Sequence, residues 1–346
     1  QTIDRMRTTF DGSHRWTLTQ EALTADEAFE DGFSKAYKFD CTTADASLGA
    51  SDKFWFKYSF EGQDVQLFKK GTASAEKTTI AFWVKATKTG TNIVELYDES
   101  STNRHCSVAY TISSSNTWEK KVVVIPADTS GTVVDNTNGQ TIDLYFIFAS
   151  GSNYTDGASL QTTWIDYSSG STRNKKHYGQ VNHADSTSNN VHITGIQVEV
   201  GEYTSSTIPP FQHESYGDNL ERCSRYFQVM ARGLVGRSQT TTQCSVGGTY
   251  PYGQMRATPT ITLNSAGLAS SIQDPGVNAH TISNIELNAS NYLGVFVKFL
   301  TKSSCWKCYG NKWKCQSFII NECGVINYDY KSKKTIRRYI KRSCFL

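Results

Sequence analysis

From Phe54 to Phe60 every second residue is aromatic: Phe54, Phe56, Tyr58 and Phe60 share one parity, while Trp55, Lys57 and Ser59 take the other. A period of two sends neighbouring side chains to opposite sides of an extended backbone, so this stretch presents one apolar face only as a β-strand. The signature returns in Ile80, Phe82 and Val84, with Trp83 and Lys85 opposite. It returns again in Ile142, Leu144, Phe146 and Phe148, which leaves Asp143, Tyr145 and Ile147 outward. Residues 91–97, 107–112, 118–125 and 163–167 are further strand candidates, separated by Gly-, Ser-, Asn- and Asp-rich turns at 88–90, 113–116, 127–131 and 136–139. Strands at this spacing, with no convincing helix between them, predict an all-β chain folded as a β-sandwich, with a jelly roll as the expected topology.

Length and composition agree with that expectation. A chain of 346 residues has room for two domains with real cores, and six prolines, three methionines and 12% aromatics suit strands joined by turns. No run of 18 apolar residues occurs, so no membrane insertion is expected. No charged-then-apolar secretory leader is visible. Gln1 in place of Met is expected of a fragment whose true N-terminus, with any signal or anchoring domain, is missing.

Charge and cysteine are unevenly spread. Residues 301–346 hold eight Lys and three Arg against Glu322 and Asp329, a net of +9, so residues 1–300 sum to −6 within the overall +3. Cys305, Cys308, Cys315, Cys323 and Cys344 crowd the same tail, against Cys41, Cys106, Cys223 and Cys244 before it. One short-spaced pair, Cys305-x-x-Cys308, falls short of the two that a zinc ribbon uses. The Lys-, Asn-, Ile- and Tyr-rich composition suits an out-of-frame or read-through extension, expected to be disordered and to add nothing to a core. A zinc cluster and a basic binding arm remain as alternatives. No nucleic-acid partner is expected, nor any cofactor or bound metal.

A change of character falls after residues 193–201, Ile-Thr-Gly-Ile-Gln-Val-Glu-Val-Gly. This segment alternates like a strand, with Gly195 placed for a bulge. A connector bearing Pro209-Pro210 follows and is expected to be open to proteases, and then Asp218–Phe227, where Leu220, Cys223 and Phe227 fall on one helical face. The junction resembles that of many tailed-bacteriophage tail and virion proteins, where ITGxQxExG precedes YGxELxxCxRYY; Asp218-Asn219 departs slightly from the usual spacing. The resemblance widens through Glu61-Gly62, Phe82-Trp83-Val84-Lys85, Thr89-Gly90-Thr91, Asn116-Thr117-Trp118-Glu119, Ile125–Gly131 and Gln180-Val181-Asn182. Later, Met255-Arg256-Ala257-Thr258-Pro259-Thr260 is similar to the MRAxPT segment of their closing β-domain, whose last strand would be 292–299. It implies a carbohydrate-binding-module-like jelly roll over 1–201, a connector and short helix over 202–230, a small C-terminal β-domain over 231–299, and a tail over 300–346. It also implies a place in the virion tail or its fibres, outside the cell, beside other tail proteins and in a homo-oligomer, a trimer by analogy with tail fibres.

Sequence motifs for catalysis are missing. None of the seven histidines pairs at metal-ligand spacing, and no G-x-S-x-G, P-loop or HExxH occurs. Glu95, Glu119, Asp143 and Glu199 are the candidates for a hydrolytic carboxylate pair, but solvated strand faces are the commoner fate of such residues. No enzyme is expected.

The outward parity set offers a binding hypothesis instead. Trp55, Trp83, Tyr97 and Tyr145, interleaved with Glu95, Asp143, Gln197 and Glu199, would form a sugar-binding face if their strands shared one sheet with the rings exposed. Rings stack on sugar C–H faces, and carboxylates and amides meet hydroxyls. Packing under loops or against a neighbouring chain is the alternative for the same rings. Three functions follow: a virion structural protein binding host-surface polysaccharide, a carbohydrate-binding module of a secreted bacterial protein, or a phage-tail depolymerase.

Overall fold

The computed structural model describes residues 6–99, 103–167, 173, 175–230, 234–240, 243–249, 252–257, 260–262, 271–273, 279–291, 294–301, 313–315 and 318–321. Two compact units divide after His213.

The first unit holds β1 (Met6–Asp11), β2 (Arg15–Ala22), β3 (Lys35–Thr43), β4 (Lys53–Glu61), β5 (Thr78–Ala86), β6 (Gly90–Asp98), β7 (Arg104–Ile112), β8 (Glu119–Ile125), β9 (Gln140–Ser150), β10 (Ile165–Asp166) and β11 (Asn190–Val200). Two short helices, α1 (Glu27–Glu30) and α2 (Ser152–Thr155), interrupt them. The strands form a first sheet, ordered β1-β4-β9-β6-β7-β10, and a second, ordered β2-β3-β11-β5-β8. From β3 onward the chain pairs as nested hairpins: β3 with β11, β4 with β9, β5 with β8, β6 with β7. From β3 to β6, and again from β7 to β9, successive strands change sheets. That is the jelly-roll pattern the alternation predicts.

Between the sheets lies an aromatic slab. Phe39, Phe54, Phe56, Phe82, Phe146 and Phe148 are fully buried. Phe39 meets Phe56 at 4.9 Å and Phe148 at 5.0 Å, and Phe82 meets Phe146 edge-on at 5.0 Å. Such pairs add ~0.5–1.5 kcal/mol each beyond their burial. Gly195 is the expected bulge: it has φ +60, and the β11–β5 register slips between Thr194 and Gln197. The slip keeps Val198 opposite Ile80 and turns Gln197 and Glu199 outward.

The connector differs from expectation. Phe211 packs on Phe33 at 4.9 Å, Gln197 Nε2 donates to the Pro209 carbonyl at 3.0 Å, and Tyr203 N donates to Thr79 Oγ1 at 3.0 Å. The segment 202–213 therefore belongs to the sandwich, with Phe211 packed on the cluster around Phe33 at one part of the second sheet's outer side.

The second unit opens with α3 (Tyr216–Ser224), capped by Ser215, whose Oγ accepts from Asp218 N at 3.2 Å. Its buried residues are Asn219 and Ser224, while Leu220 and Cys223 are only half-buried and Phe227 starts a strand. Polar bonds explain the shift: Asn219 Nδ2 donates to Glu214 at 2.9 Å and Ser224 Oγ to the Leu220 carbonyl at 2.7 Å. The strands are β12 (Phe227–Met230), β13 (Leu234–Thr240), β14 (Gln243–Thr249), β15 (Thr260–Thr262), β16 (Ser271–Gln273), β17 (Ala279–Asn291), β18 (Gly294–Thr301), β19 (Trp313–Cys315) and β20 (Phe318–Asn321). They form a closed barrel, β13-β14-β18-β17-β16-β19, and a separate sheet, β12-β20-β15. Two of these strands, β19 and β20, come from the tail that was expected to stay apart. β19 pairs with Leu234–Gly236, and β20 lies between β12 and β15. The apolar run Phe318-Ile319-Ile320 has the β-branched content that a central strand uses. Cys305, Cys308 and Cys323 lie outside the described residues.

Candidate functional site

Parity places five of the eight candidate residues on one face. Trp55 on β4, Glu95 and Tyr97 on β6, and Asp143 and Tyr145 on β9 all point away from the aromatic slab on the first sheet. Lys57 and Glu95 flank Tyr145 in register, and Asp143 sits opposite Tyr97. The face, however, is closed. The segment between β9 and β11 lies across it, so Trp55 is 7% exposed, Tyr145 6%, Glu95 1% and Asp143 0%. Trp55 packs edge-on against Tyr154 at 5.0 Å and His177 at 5.0 Å and donates from Nε1 to Ser150 Oγ at 2.8 Å.

Charges beneath this cover are paired. The Glu95 carboxylate meets Lys176 at 2.7 Å and His177 Nε2 at 3.1 Å. Burial alone would raise its pKa, but Lys176 and His177 outweigh burial and hold it at about 2. Burial dominates for His177, whose pKa falls although Glu95 opposes the shift. The Lys176 ammonium lies 4.5 Å from the Tyr97 ring centre, 4.9 Å from Tyr167 and 5.5 Å from Trp55. It fills the space that a ligand would need. Lys57 pairs with Asp143 in the same layer. The expectation that Trp55 and Tyr145 stand exposed is therefore corrected: Tyr154, Lys176 and His177 pack over this face.

The other three candidates lie on the second sheet, so the eight do not share one face. Trp83 on β5 and Gln197 and Glu199 on β11 point outward from that sheet. The Trp83 indole is half-buried, packed at one side against the cluster of Leu23, Ala28, Phe33, Ala36 and Trp118. Its Nε1 donates to Asp31 Oδ2 at 2.9 Å, and Lys120 Nζ donates to the same oxygen at 2.9 Å. Lys120 is the register partner of Trp83, and its ammonium lies 5.9 Å from the ring centre. Burial pushes the Asp31 carboxyl up, but the bonds from Lys120 and Trp83 leave it below the usual carboxylate value. Gln197 Nε2 donates to Glu199 Oε1 at 2.9 Å on the same side of the sheet. An indole held by its N–H, flanked by an ammonium and a carboxylate, can stack on an apolar ring face and bond to hydroxyls around it. Asp31 follows α1, a single helical turn, and no periodic pattern marks it in the sequence.

The four candidate carboxylates do not gather at one site. Glu95 and Asp143 lie under the cover of the first sheet, and Glu199 lies outside the second. Glu119 accepts the Ser113 and Ser114 amides at 2.9 Å, closing the connection from β7 to β8. Among the described residues no three His, Cys, Asp or Glu side chains gather as a metal site, and no helix is long and apolar enough to cross a membrane.

Neither a protein-family model nor a curated protein matches the sequence. Among solved structures the chain is similar to the enzymatically active domain of tailspike protein 4 of bacteriophage CBA120, with 10% identity and a TM-score of 0.31. That match covers 57% of this chain but only 20% of the tailspike chain. A family 11 carbohydrate-binding module of a Clostridium thermocellum cellulase matches at 9% identity and a TM-score of 0.28, over 57% of this chain and 88% of the module. The module TmCBM61, solved with β-1,4-galactotriose, matches at 11% identity and a TM-score of 0.27, over 57% and 90%. The jelly-roll assignment itself rests on the strand pairings.

Proposed function

We propose that this chain is a structural component of a tailed-phage virion, in the tail or its fibres, whose jelly roll holds host-surface polysaccharide without altering it chemically. The order of motifs from 61 to 201 and the junction at 193–227, which resemble those of phage tail proteins, support the virion assignment. The jelly-roll pairing supports the binding role. The observation that carries the glycan site is Trp83, a half-open indole pinned by Asp31 beside Lys120. Glu199 adds a polar group on the same side of the sheet, while Gln197 is buried there with its amide held by Glu199 and the Pro209 carbonyl. Contact is assigned to this outer face of the second sheet. The closed face of the first sheet serves stability. The protein acts outside the cell as a homo-oligomer, a trimer by analogy with tail fibres, and no catalytic step is assigned to it.

A glycan array probed with the wild-type chain and with Trp83→Ala tests the binding role. The wild type should bind a defined set of bacterial polysaccharides, and the variant should lose most of that signal; equal binding by both would refute the assigned site. Gold-labelled antibodies raised against the chain should decorate the tails of purified virions. Their absence from intact particles would refute the virion assignment.

A further inference from the structure

The closed face of the first sheet holds a second arrangement that glycan binding does not use. Lys57 on β4 and Asp143 on β9 lie diagonally across neighbouring antiparallel strands, with side chains on the same face, 6% and 0% exposed. Their ammonium and carboxylate are in direct contact. Tyr145 completes the pair: its hydroxyl donates to Asp143 Oδ2 at 2.9 Å and lies 3.1 Å from Lys57 Nζ, and its ring lies 5.0 Å from that nitrogen. Gln140 Nε2 reaches both carboxylate oxygens of Asp143 at 3.1 Å.

A third acid stands at the rim. Glu99 Oε1 is 4.0 Å from Lys57 Nζ, and its backbone N–H is fixed to the Thr141 carbonyl at 2.8 Å. Burial, followed by the charge of Asp143, pushes its pKa up. A neighbouring negative charge disfavours a second carboxylate, which is the direction of the Glu99 shift. The site thus brings together an amine, a carboxyl group as its target, and a neighbouring acid.

We infer that Lys57 and Asp143 join as an intramolecular isopeptide bond, with Glu99 as the proton shuttle. The ammonium of Lys57 first passes a proton to the Asp143 carboxylate, which leaves an amine facing a neutral carboxylic acid. Nζ then attacks the Asp143 carboxyl carbon, and Gln140 Nε2 stabilises the oxygen on which negative charge develops. Glu99 accepts a proton from the attacking nitrogen at one oxygen and delivers a proton from the other to the departing hydroxyl, which leaves as water. One C–N bond forms, one C–O bond breaks, and no oxidant or cofactor is consumed. The driving circumstance is burial: two charges taken from water cost much of what their attraction returns, and a neutral amide carries neither.

Two other buried lysines show what singles out Lys57. Lys70 lies 2.5 Å from Asp98 and 3.3 Å from Asp128, but Arg104 holds Asp128 with two bonds at 3.1 Å. That second cation pairs with one of the two carboxylates, unlike the site of Lys57. Lys176 faces Glu95 with His177 as the neighbour, so no acid stands ready to pass a proton on. Both pairs should stay ionic and serve as controls within the same molecule.

Intact-mass measurement of the unfolded full-length chain tests the bond. The wild type should be lighter than its sequence by one water, and proteolysis should yield a branched peptide joining the segments that contain Lys57 and Asp143. Glu99→Gln, altered at a rim position with a side chain 37% exposed, should fold yet show the full sequence mass, as should Lys57→Arg. In unfolded wild type, Lys57 should resist acetylation while Lys70 and Lys176 react. Full mass in the wild type with separate peptides would overturn the inference. So would a missing water that maps instead to a succinimide at Asp11-Gly12, Asp31-Gly32 or Asp156-Gly157. A bond that survives Glu99→Gln would overturn the shuttle.

Discussion

Gly195→Ala should be among the most damaging single-methyl changes in the jelly roll. The residue sits at φ +60, where an L side chain costs ~1–2 kcal/mol. A Cβ there would also fall 2.5 Å from Phe33 Cζ and 2.8 Å from Cε2, closer than carbon atoms can approach. Phe33 cannot swing away freely, since Phe211 closes on it at 4.9 Å and the cluster of Leu23, Ala28, Ala36 and Trp118 surrounds it. Forcing such a contact in a packed site costs ~1–3 kcal/mol, and the stiffer unfolded chain of Ala returns only ~0.4–1 kcal/mol. The net loss should be about 2–4 kcal/mol. At ~2–4 °C per kcal/mol for a domain of this size, the first unit should melt roughly 5–15 °C lower. Urea unfolding followed by tryptophan fluorescence gives the free energy, and Phe33→Leu separates the two contributions. In the double variant the clash is relieved, so the two changes should be non-additive by about 1–3 kcal/mol, while the backbone share persists. A loss below about 0.5 kcal/mol for Gly195→Ala would refute both the bulge geometry and the packing of Phe33 against it.

His183 is buried with Nε2 2.7 Å from Asn92 Oδ1, and burial, ahead of the Lys88 charge, lowers its pKa from 6.5 to about 3. Its contribution to stability is therefore complete above pH 6.5 and is lost as pH falls through about 3, by up to roughly 4–5 kcal/mol at ~1.4 kcal/mol per unit. The urea midpoint of His183→Gln should fall less steeply between pH 7 and 4 than that of wild type; parallel slopes would contradict this assignment. Glu95→Gln removes the partner of buried Lys176 and should cost ~3–5 kcal/mol in chemical denaturation, whereas a cost near zero would mean that the cover over Glu95 is open in solution. The Cys106 thiol, fully buried and pushed up to about 12 mainly by burial, should react with a thiol reagent only after unfolding; prompt reaction of the native protein would show that β7 is accessible.

Much of the first unit was legible because alternation reports faces. Phe54, Phe56, Phe146 and Phe148 entered the slab as their parity requires, and Gly195 marked the bulge because it interrupts an alternating segment at a residue free to take positive φ. Parity does not say which sheet a strand joins. A jelly roll sends successive strands to opposite sheets, so Trp83 parted from Trp55 although both lie opposite their own strand's apolar set. Nor does parity say what covers a face. Residues 151–189 have no sustained period, yet Tyr154, Lys176 and His177 within them bury Trp55, Glu95 and Tyr145. The edge strand β2 was not singled out, since its Thr, Gln and Glu residues blur the alternation. The tail misled through composition, because a few β-branched residues at 318–320 suffice when neighbouring strands supply the pairing.

The central claim is that the open face around Trp83, and not the closed face around Trp55, meets glycan. Isothermal titration of one array-selected polysaccharide into wild type, Trp83→Ala and Trp55→Phe tests it directly. Trp83→Ala should weaken binding by on the order of 1 kcal/mol or more, the worth of one aromatic contact, while Trp55→Phe should bind as wild type once shown to be folded. Loss of binding in Trp55→Phe with full binding in Trp83→Ala would contradict the account.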